Sequence, residues 1–333
     1  MFELKIIFFH LIILFFIVVI SHKLEFFDKP DTRKIHNVNI VHTGGLIIFI
    51  SYFFILINSE INPQIEMIIA TGSIIIFFGF LDDQYKLSPG IKLFFIFLPV
   101  IYLFYEGYKL ENLGNYEYLG EIELNKFSII FTFLSVGLLI NSINYFDGID
   151  GLCTVFLITC FVFFLLISNN IQTKQLLFYL LIPLFINLLF NLLKSGSYFK
   201  IFLGNAGSLF FGFLVSFLMI YFYNTENIHP SKLIWAVWFP VYDFLAVNFE
   251  RMLMKKSIFN ASRDHIHHVM LNFFSNSHLK TTLILSVINI LVIIFGYTLS
   301  KYFGNIHSLI AFILLFFSYL ILKINLKKTL TKI

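Results

Sequence analysis

Asn141-Ser-Ile-Asn144-Tyr-Phe-Asp147-Gly148-Ile-Asp150-Gly151-Leu152 lies between two long apolar runs in a chain otherwise dominated by Phe, Ile and Leu. Those runs decide the fold class. About 20 apolar residues cross a hydrocarbon core of roughly 30 Å, and runs of this length recur along the chain. A backbone in lipid must bond to itself, so each run is read as an α-helix. The twelve residues between these two runs are the opposite case. Carboxylates and amides are expensive near a bilayer and generally functional there.

Composition agrees. Of 333 residues, 59% are hydrophobic and 13% charged, against roughly 45–50% and about 25% in soluble domains. An ordinary soluble enzyme is excluded, and the expectation is an all-α, polytopic membrane protein. The 46 phenylalanines read as lipid-facing bulk, since Phe, Leu and Ile serve equally well against acyl chains. Cys153 and Cys160 lie about 10 Å apart along a helix, too far for a disulfide. Met1 to Ile20 is read as a first span rather than a signal peptide, because no small-residue cleavage site follows it.

Eleven helical spans are expected, at roughly 4–22, 44–59, 65–81, 91–106, 127–144, 152–169, 174–193, 206–223, 231–250, 280–299 and 304–323, in one domain covering 1–333. Of 23 Lys and Arg, all but Lys5, Lys109, Lys126, Lys174, Lys232 and Lys301 fall on loops that share a side when the C-terminus is inside. The positive-inside rule then predicts N-terminus out and C-terminus in. All eight aspartates and seven of ten histidines fall at that same inner face. The segment from Gly107 to Lys126 alternates Tyr116, Tyr118, Ile122 and Leu124, a pattern compatible with a small outer hairpin.

Four inner segments carry polar clusters. Asp82-Asp83 ends the third expected span, and adjacent carboxylates resist joint ionisation unless a cation or basic group lies close. Asn144, Asp147 and Asp150 are spaced by three, so neighbouring pairs share a face if the segment is helical. Phe202-Leu-Gly204-Asn205-Ala-Gly-Ser208 reads as a helix start, with a weaker resemblance to an anion cradle. Arg263-Asp-His265-Ile-His267-His268 has three histidines without the spacing of a zinc site, and suits a diphosphate better. Asp and Asn oxygens for a hard cation, with Arg, Lys and His for phosphates, point to phosphoryl transfer at the inner membrane surface.

These motifs, with Asp28-Lys-Pro-Asp31-Thr-Arg33-Lys34-Ile-His36 and Gly44-Gly45, resemble in order the polyprenyl-phosphate N-acetylhexosamine-1-phosphate transferases, glycosyltransferase family 4. The resemblance runs from Asp28 to about Phe295. It implies a magnesium-dependent enzyme, with manganese as a substitute, that moves a HexNAc-1-phosphate from a UDP-sugar to undecaprenyl phosphate and releases UMP. His265-Ile-His267-His268 and Trp238-Phe-Pro240-Val-Tyr-Asp243 resemble the branch that primes O-antigen lipopolysaccharide, enterobacterial common antigen or teichoic acid. The phospho-MurNAc-pentapeptide branch carries another histidine signature. UDP-GlcNAc is the leading donor.

By resemblance, Asp82, Asp83, Asp147 and Asp150 carry the catalysis, and Asn144, Asn205 and Asp150 lie on the metal. Lys92, Arg263, His265, His267 and His268 hold phosphate or nucleotide. Direct attack and a covalent intermediate both remain open. The expected partners are UDP-N-acetylhexosamine, undecaprenyl phosphate and the bilayer of a bacterial inner membrane, without nucleic acid; a homodimer is compatible. Two positions depart from the family: Asn205 stands where an Asp magnesium ligand is usual, and Val41 where a proline is usual. The first predicts weaker magnesium binding, and an impaired member is the alternative reading. A transporter is a poorer fit, since the aspartates gather at one face and no repeat is seen.

Overall fold

A computed structural model describes residues 1–28, 38–59, 61–255 and 264–330. Its helices are α1 (Phe2–Lys23), α2 (Gly44–Ser59), α3 (Pro63–Thr71), α4 (Ser73–Tyr85), α5 (Pro89–Tyr105), α6 (Ser128–Phe146), α7 (Leu152–Ile167) and α8 (Ile171–Asn191). They continue as α9 (Gly204–Asn224), α10 (Pro230–Leu233), α11 (Trp238–Leu253), α12 (Ile266–Phe273), α13 (His278–Phe303) and α14 (Asn305–Leu330). The little sheet present is two antiparallel pairs: β1 (Phe27–Asp28) with β2 (Ile40–Val41), and β3 (Asn112–Tyr116) with β4 (Gly120–Glu123).

Local chemistry sets several boundaries. Asn62 and Asn170 cap α3 and α8 by accepting backbone N–H bonds from Ile65 at 3.2 Å and Gln172 at 2.8 Å, which satisfies donors a helix cannot satisfy itself. All eleven expected segments are helical. Among the described residues, however, only seven helical stretches are both long and apolar enough to cross a membrane. Alpha2, the Gly90–Tyr105 stretch of α5, and α7 are apolar but shorter. A 16-residue helix such as α2 rises only about 24 Å. The segment at 231–250 is divided into α10, a 3-10 turn and α11. What stands is a helical membrane protein in which seven of the described helical stretches have the length and apolar character of a span; the expected count of eleven is not confirmed.

Alpha9 is the axis of the bundle, with 89% of its apolar window buried, whereas α14 has 11% buried and faces outward. Small residues let three helices approach it closely. A Cβ on Gly45 of α2 would lie 2.1 Å from Gly207 Cα, one on Gly79 of α4 would lie 2.5 Å from Ala206 Cα, and one on Gly212 of α9 would lie 2.6 Å from Ile140 Cα of α6. Helix association in lipid relies on such close packing. The compatible hairpin at 107–126 does form, as β3–β4. It is joined to the start of α14, where Glu117 accepts N–H bonds from Asn305 at 2.9 Å and Ile306 at 2.8 Å. The C-terminal ends of α4 and α6 meet the N-terminal ends of α7 and α9 at the other end of the bundle, and the polar motifs collect there.

Candidate functional site

A cavity of about 450 Å³ opens where those helix ends converge. Asp82, Asp83, Asn144, Asp147, Asp150 and Asn205 all line it. They come from three separate stretches of chain.

Alpha4 delivers the first two carboxylates to different partners. Asp83 reaches the start of α9, where it accepts the backbone N–H of Asn205 at 3.1 Å and of Ala206 at 3.2 Å. A helix N-terminus favours an anion, and here the protein's own carboxylate supplies it. The 204–208 segment is therefore a helix start, as its plainer reading holds. Gly204 has φ +74°, and a Cβ there would lie 2.3 Å from the His42 carbonyl oxygen and 2.8 Å from Asp83 Oδ2. Glycine meets both demands.

Asp82 is buried. It takes an ion pair from Lys92 at 2.7 Å, the Leu87 N–H at 2.8 Å and the Asn205 amide nitrogen at 2.9 Å. An ionised carboxylate only accepts, so the Asn205 amide must turn its nitrogen toward Asp82. Its oxygen then accepts from Asn144 Nδ2 at 3.0 Å, which also donates to Ser208 Oγ at 2.8 Å. The relay leaves the Asn144 carbonyl oxygen as that side chain's uncommitted end. Asn205, expected on the metal, has both polar ends engaged. Lys92, expected on phosphate, stands on Asp82 and does not line the cavity.

Asp147 and Asp150 lie in unlike surroundings. Alpha6 ends at Phe146, so the shared helical face stops before them. Asp147 is partly buried and its side chain makes no hydrogen bond among the described residues; burial first, then the charges of Asp28 and Asp150, raises it to about 7. Asp150 is also penalised by burial. Hydrogen bonds from His278 and Lys200 outweigh that penalty and hold it below the ordinary carboxylate range. Lys200 Nζ lies 2.7 Å from Asp150 Oδ2, and His278 Nδ1 lies 3.5 Å from the same oxygen.

The histidine segment divides three ways. His265 is buried and faces Asp243 of α11, with Nδ1 2.7 Å from its carboxylate, while Ile266 donates its N–H to the second carboxylate oxygen at 2.9 Å. Tyr319 and Lys323 of α14 reach that oxygen at 3.0 and 3.2 Å. His267 is fully buried against Gly148; burial, then the neighbouring His268, lowers its affinity for a proton. His268 alone of the three lines the cavity. Arg263 and the stretch Asp31 to His36 lie outside the described residues.

Four basic residues at the cavity or its wall escaped the sequence reading as site candidates: Lys86, His42, His278 and Lys200. Nothing local marks them. They sit in basic or polar loops whose charge serves equally well to set topology. The donors around Asp147 and Asn144 are oxygens, which suit a hard cation. Among the described residues no group of three or more His, Cys, Asp or Glu is placed to hold a metal unaided. A magnesium ion here would need water and phosphate oxygens to complete its shell, which is its usual habit.

Comparison with known proteins bears out the family resemblance. Glycosyl transferase family 4 matches residues 65–223. The undecaprenyl-phosphate alpha-N-acetylglucosaminyl 1-phosphate transferase of Yersinia pestis is 28% identical over 262 residues, covering 76% of this chain and 71% of its own. The protein of the same name from Escherichia coli K12 is 27% identical over 268 residues, covering 78% and 72%. A Bacillus subtilis protein named a probable undecaprenyl-phosphate N-acetylglucosaminyl 1-phosphate transferase is 27% identical over 313 residues, covering 92% and 86%.

Proposed function

We propose that this chain transfers a HexNAc-1-phosphate, with GlcNAc-1-phosphate the leading choice, from a UDP-sugar to undecaprenyl phosphate and releases UMP. The observation that carries this reading is the cavity, which gathers Asp83, Asn144 and Asp147 with Lys86, His268 and His278 at one end of a lipid-embedded bundle. A diphosphate needs both halves of that set. Magnesium would be held by Asp147 and the Asn144 carbonyl oxygen, and when bound it would spread negative charge on the transferring phosphoryl group. His268, His278 and Lys86 offer donors to phosphate oxygens. Asp82, fixed by three donors, positions Asn205 and through it Asn144. The site is proposed to face the cytoplasm, where the Lys and Arg bias puts it, and the product would be the first lipid-linked sugar of a surface polysaccharide.

A second reading, an impaired member that binds lipid or a partner, is favoured by one observation: Asn205 brings no charge to the cavity, and its amide oxygen already accepts from Asn144. UMP release from UDP-GlcNAc in membranes carrying added undecaprenyl phosphate and magnesium separates the two. Turnover that disappears in Asp147→Asn supports the transferase. A wild-type chain that is inert across a panel of UDP-HexNAc donors and over a wide magnesium range removes it.

A further inference from the structure

Lys200 is 2% exposed. Its ammonium has three acceptors: Asp150 Oδ2 at 2.7 Å, the Leu193 carbonyl at 2.7 Å and the Asn191 carbonyl at 2.9 Å. Three protons meet three oxygens, so none is left for a substrate. The Asn191 side chain extends the same structure. It accepts the Gly151 N–H and donates to the Ile201 carbonyl at 2.8 Å. From the other side Thr282 of α13 donates to the Asp150 carbonyl oxygen at 2.8 Å. The loop at 147–151 is thus tied to the end of α8, to the segment leading into α9, and to α13. Asp147, three residues before Asp150, carries no such tie.

We infer that Asp150 and Lys200 form a charge-neutral brace that positions Asp147, and that Asp150 contributes placement rather than charge to the reaction. The two carboxylates of the Asn144–Asp150 motif therefore divide the work: Asp147 faces the diphosphate, and Asp150 holds it there. Asp150 and Lys200 are positioning residues. This assignment rests on the proposed transfer reaction for its kinetic arm, but not for its stability arm.

A double-mutant cycle tests it. Removing one member of a buried pair strands the other charge, whereas removing both can be nearly neutral. Asp150→Asn and Lys200→Met should each lower the thermal midpoint of the detergent-solubilised protein. Each should also cut kcat for UMP release about 100-fold, the scale of a small misplacement at a reacting centre, with KM for UDP-GlcNAc changed by less than about threefold. The double variant should regain at least half of the midpoint loss and at least about tenfold in kcat over Asp150→Asn. A double variant that regains its midpoint yet stays as inactive as Asp150→Asn overturns the assignment, because Asp150 would then act on the reacting groups. Midpoint losses that simply add overturn the brace itself. If the wild-type chain releases no UMP, the transfer reading fails, and the midpoint cycle still decides the brace.

Discussion

Replacing Asn205 by Asp is the most informative single change, because family pattern and local geometry predict opposite results. The pattern says that a missing ligand returns and magnesium binding improves. The geometry says otherwise. Asn205 Nδ2 donates to Asp82 Oδ2 at 2.9 Å, and a carboxylate cannot replace that bond. Losing a hydrogen bond to a charged group costs about 1.5–3 kcal/mol. Two carboxylates roughly 4 Å apart repel by about 4 kcal/mol at an effective dielectric constant of 20. Lys92, 2.7 Å from Asp82, and the Asn144 amide offset part of this. Sharing one proton between the carboxylates offsets more. Even if these offsets remove three quarters of the repulsion, a net loss of about 2.5–4 kcal/mol remains. In EDTA the thermal midpoint of Asn205→Asp should therefore fall by several degrees, and added magnesium should restore part of it. Asn205→Ala, which breaks the relay without adding charge, should lose less, about 1.5–3 kcal/mol. UMP release by Asn205→Asp should lie below wild type at low magnesium. A variant with wild-type midpoint in EDTA and higher turnover at low magnesium would refute the relay.

Three further outcomes are expected. Asp147 takes up its proton at about 7 in the folded chain against 3.8 ordinarily, so the folded state binds more protons between those values and stability falls as pH rises through that window; Asp147→Asn should flatten that slope in EDTA denaturation curves while abolishing UMP release. A Cβ at Gly148 would lie 2.2 Å from His267 Nε2, and Gly148→Ala should displace the buried ring and lower turnover by tenfold or more on the scale of about 1.4 kcal/mol per decade, with wild-type kinetics as the result that contradicts this contact. Glu117 is held below 4.5 by the N–H groups of Asn305 and Ile306, so its contribution is present above about pH 4.5 and lost as pH falls through the lowered value; Glu117→Gln should remove that acid-limb dependence, as followed by hydrogen exchange of the first turn of α14.

Much of the molecule was legible in the chain. Apolar runs announced helices because lipid offers the backbone no other partner, and each expected segment is helical. Their ability to span was less legible. Alpha2 and α7 are apolar yet shorter than the seven long stretches, and the segment around Trp238 is broken by a 3-10 turn. Hydropathy counts apolar residues but does not see where a helix bends or stops. The site divided in a similar way. Asp82, Asp83, Asn144, Asp147, Asp150 and Asn205 do meet, yet sequence spacing suggested one helical face for the 144–150 group, and α6 ends at Phe146. Lys92 and His265 looked like phosphate ligands because they are basic. The fold places each on a buried carboxylate, Asp82 and Asp243.

What the sequence determined by itself is the kind of object this is: a helical membrane protein whose acidic, amide and histidine motifs, which lipid would otherwise exclude, resemble those of a sugar-phosphate transferase family. Those properties follow from residue type and order, since the cost of a carboxylate near a bilayer does not depend on which helix carries it. Only the tertiary structure decided which of the charges are paired within the protein. Asp82, Asp150 and Asp243 are matched by Lys92, Lys200 and Lys323, whereas Asp147, on the same cavity wall as Asp82 and Asp150, has no lysine partner among the described residues. An ion pair depends on separations of a few ångströms, and between residues 10 to 80 positions apart those separations exist only once the helices are packed.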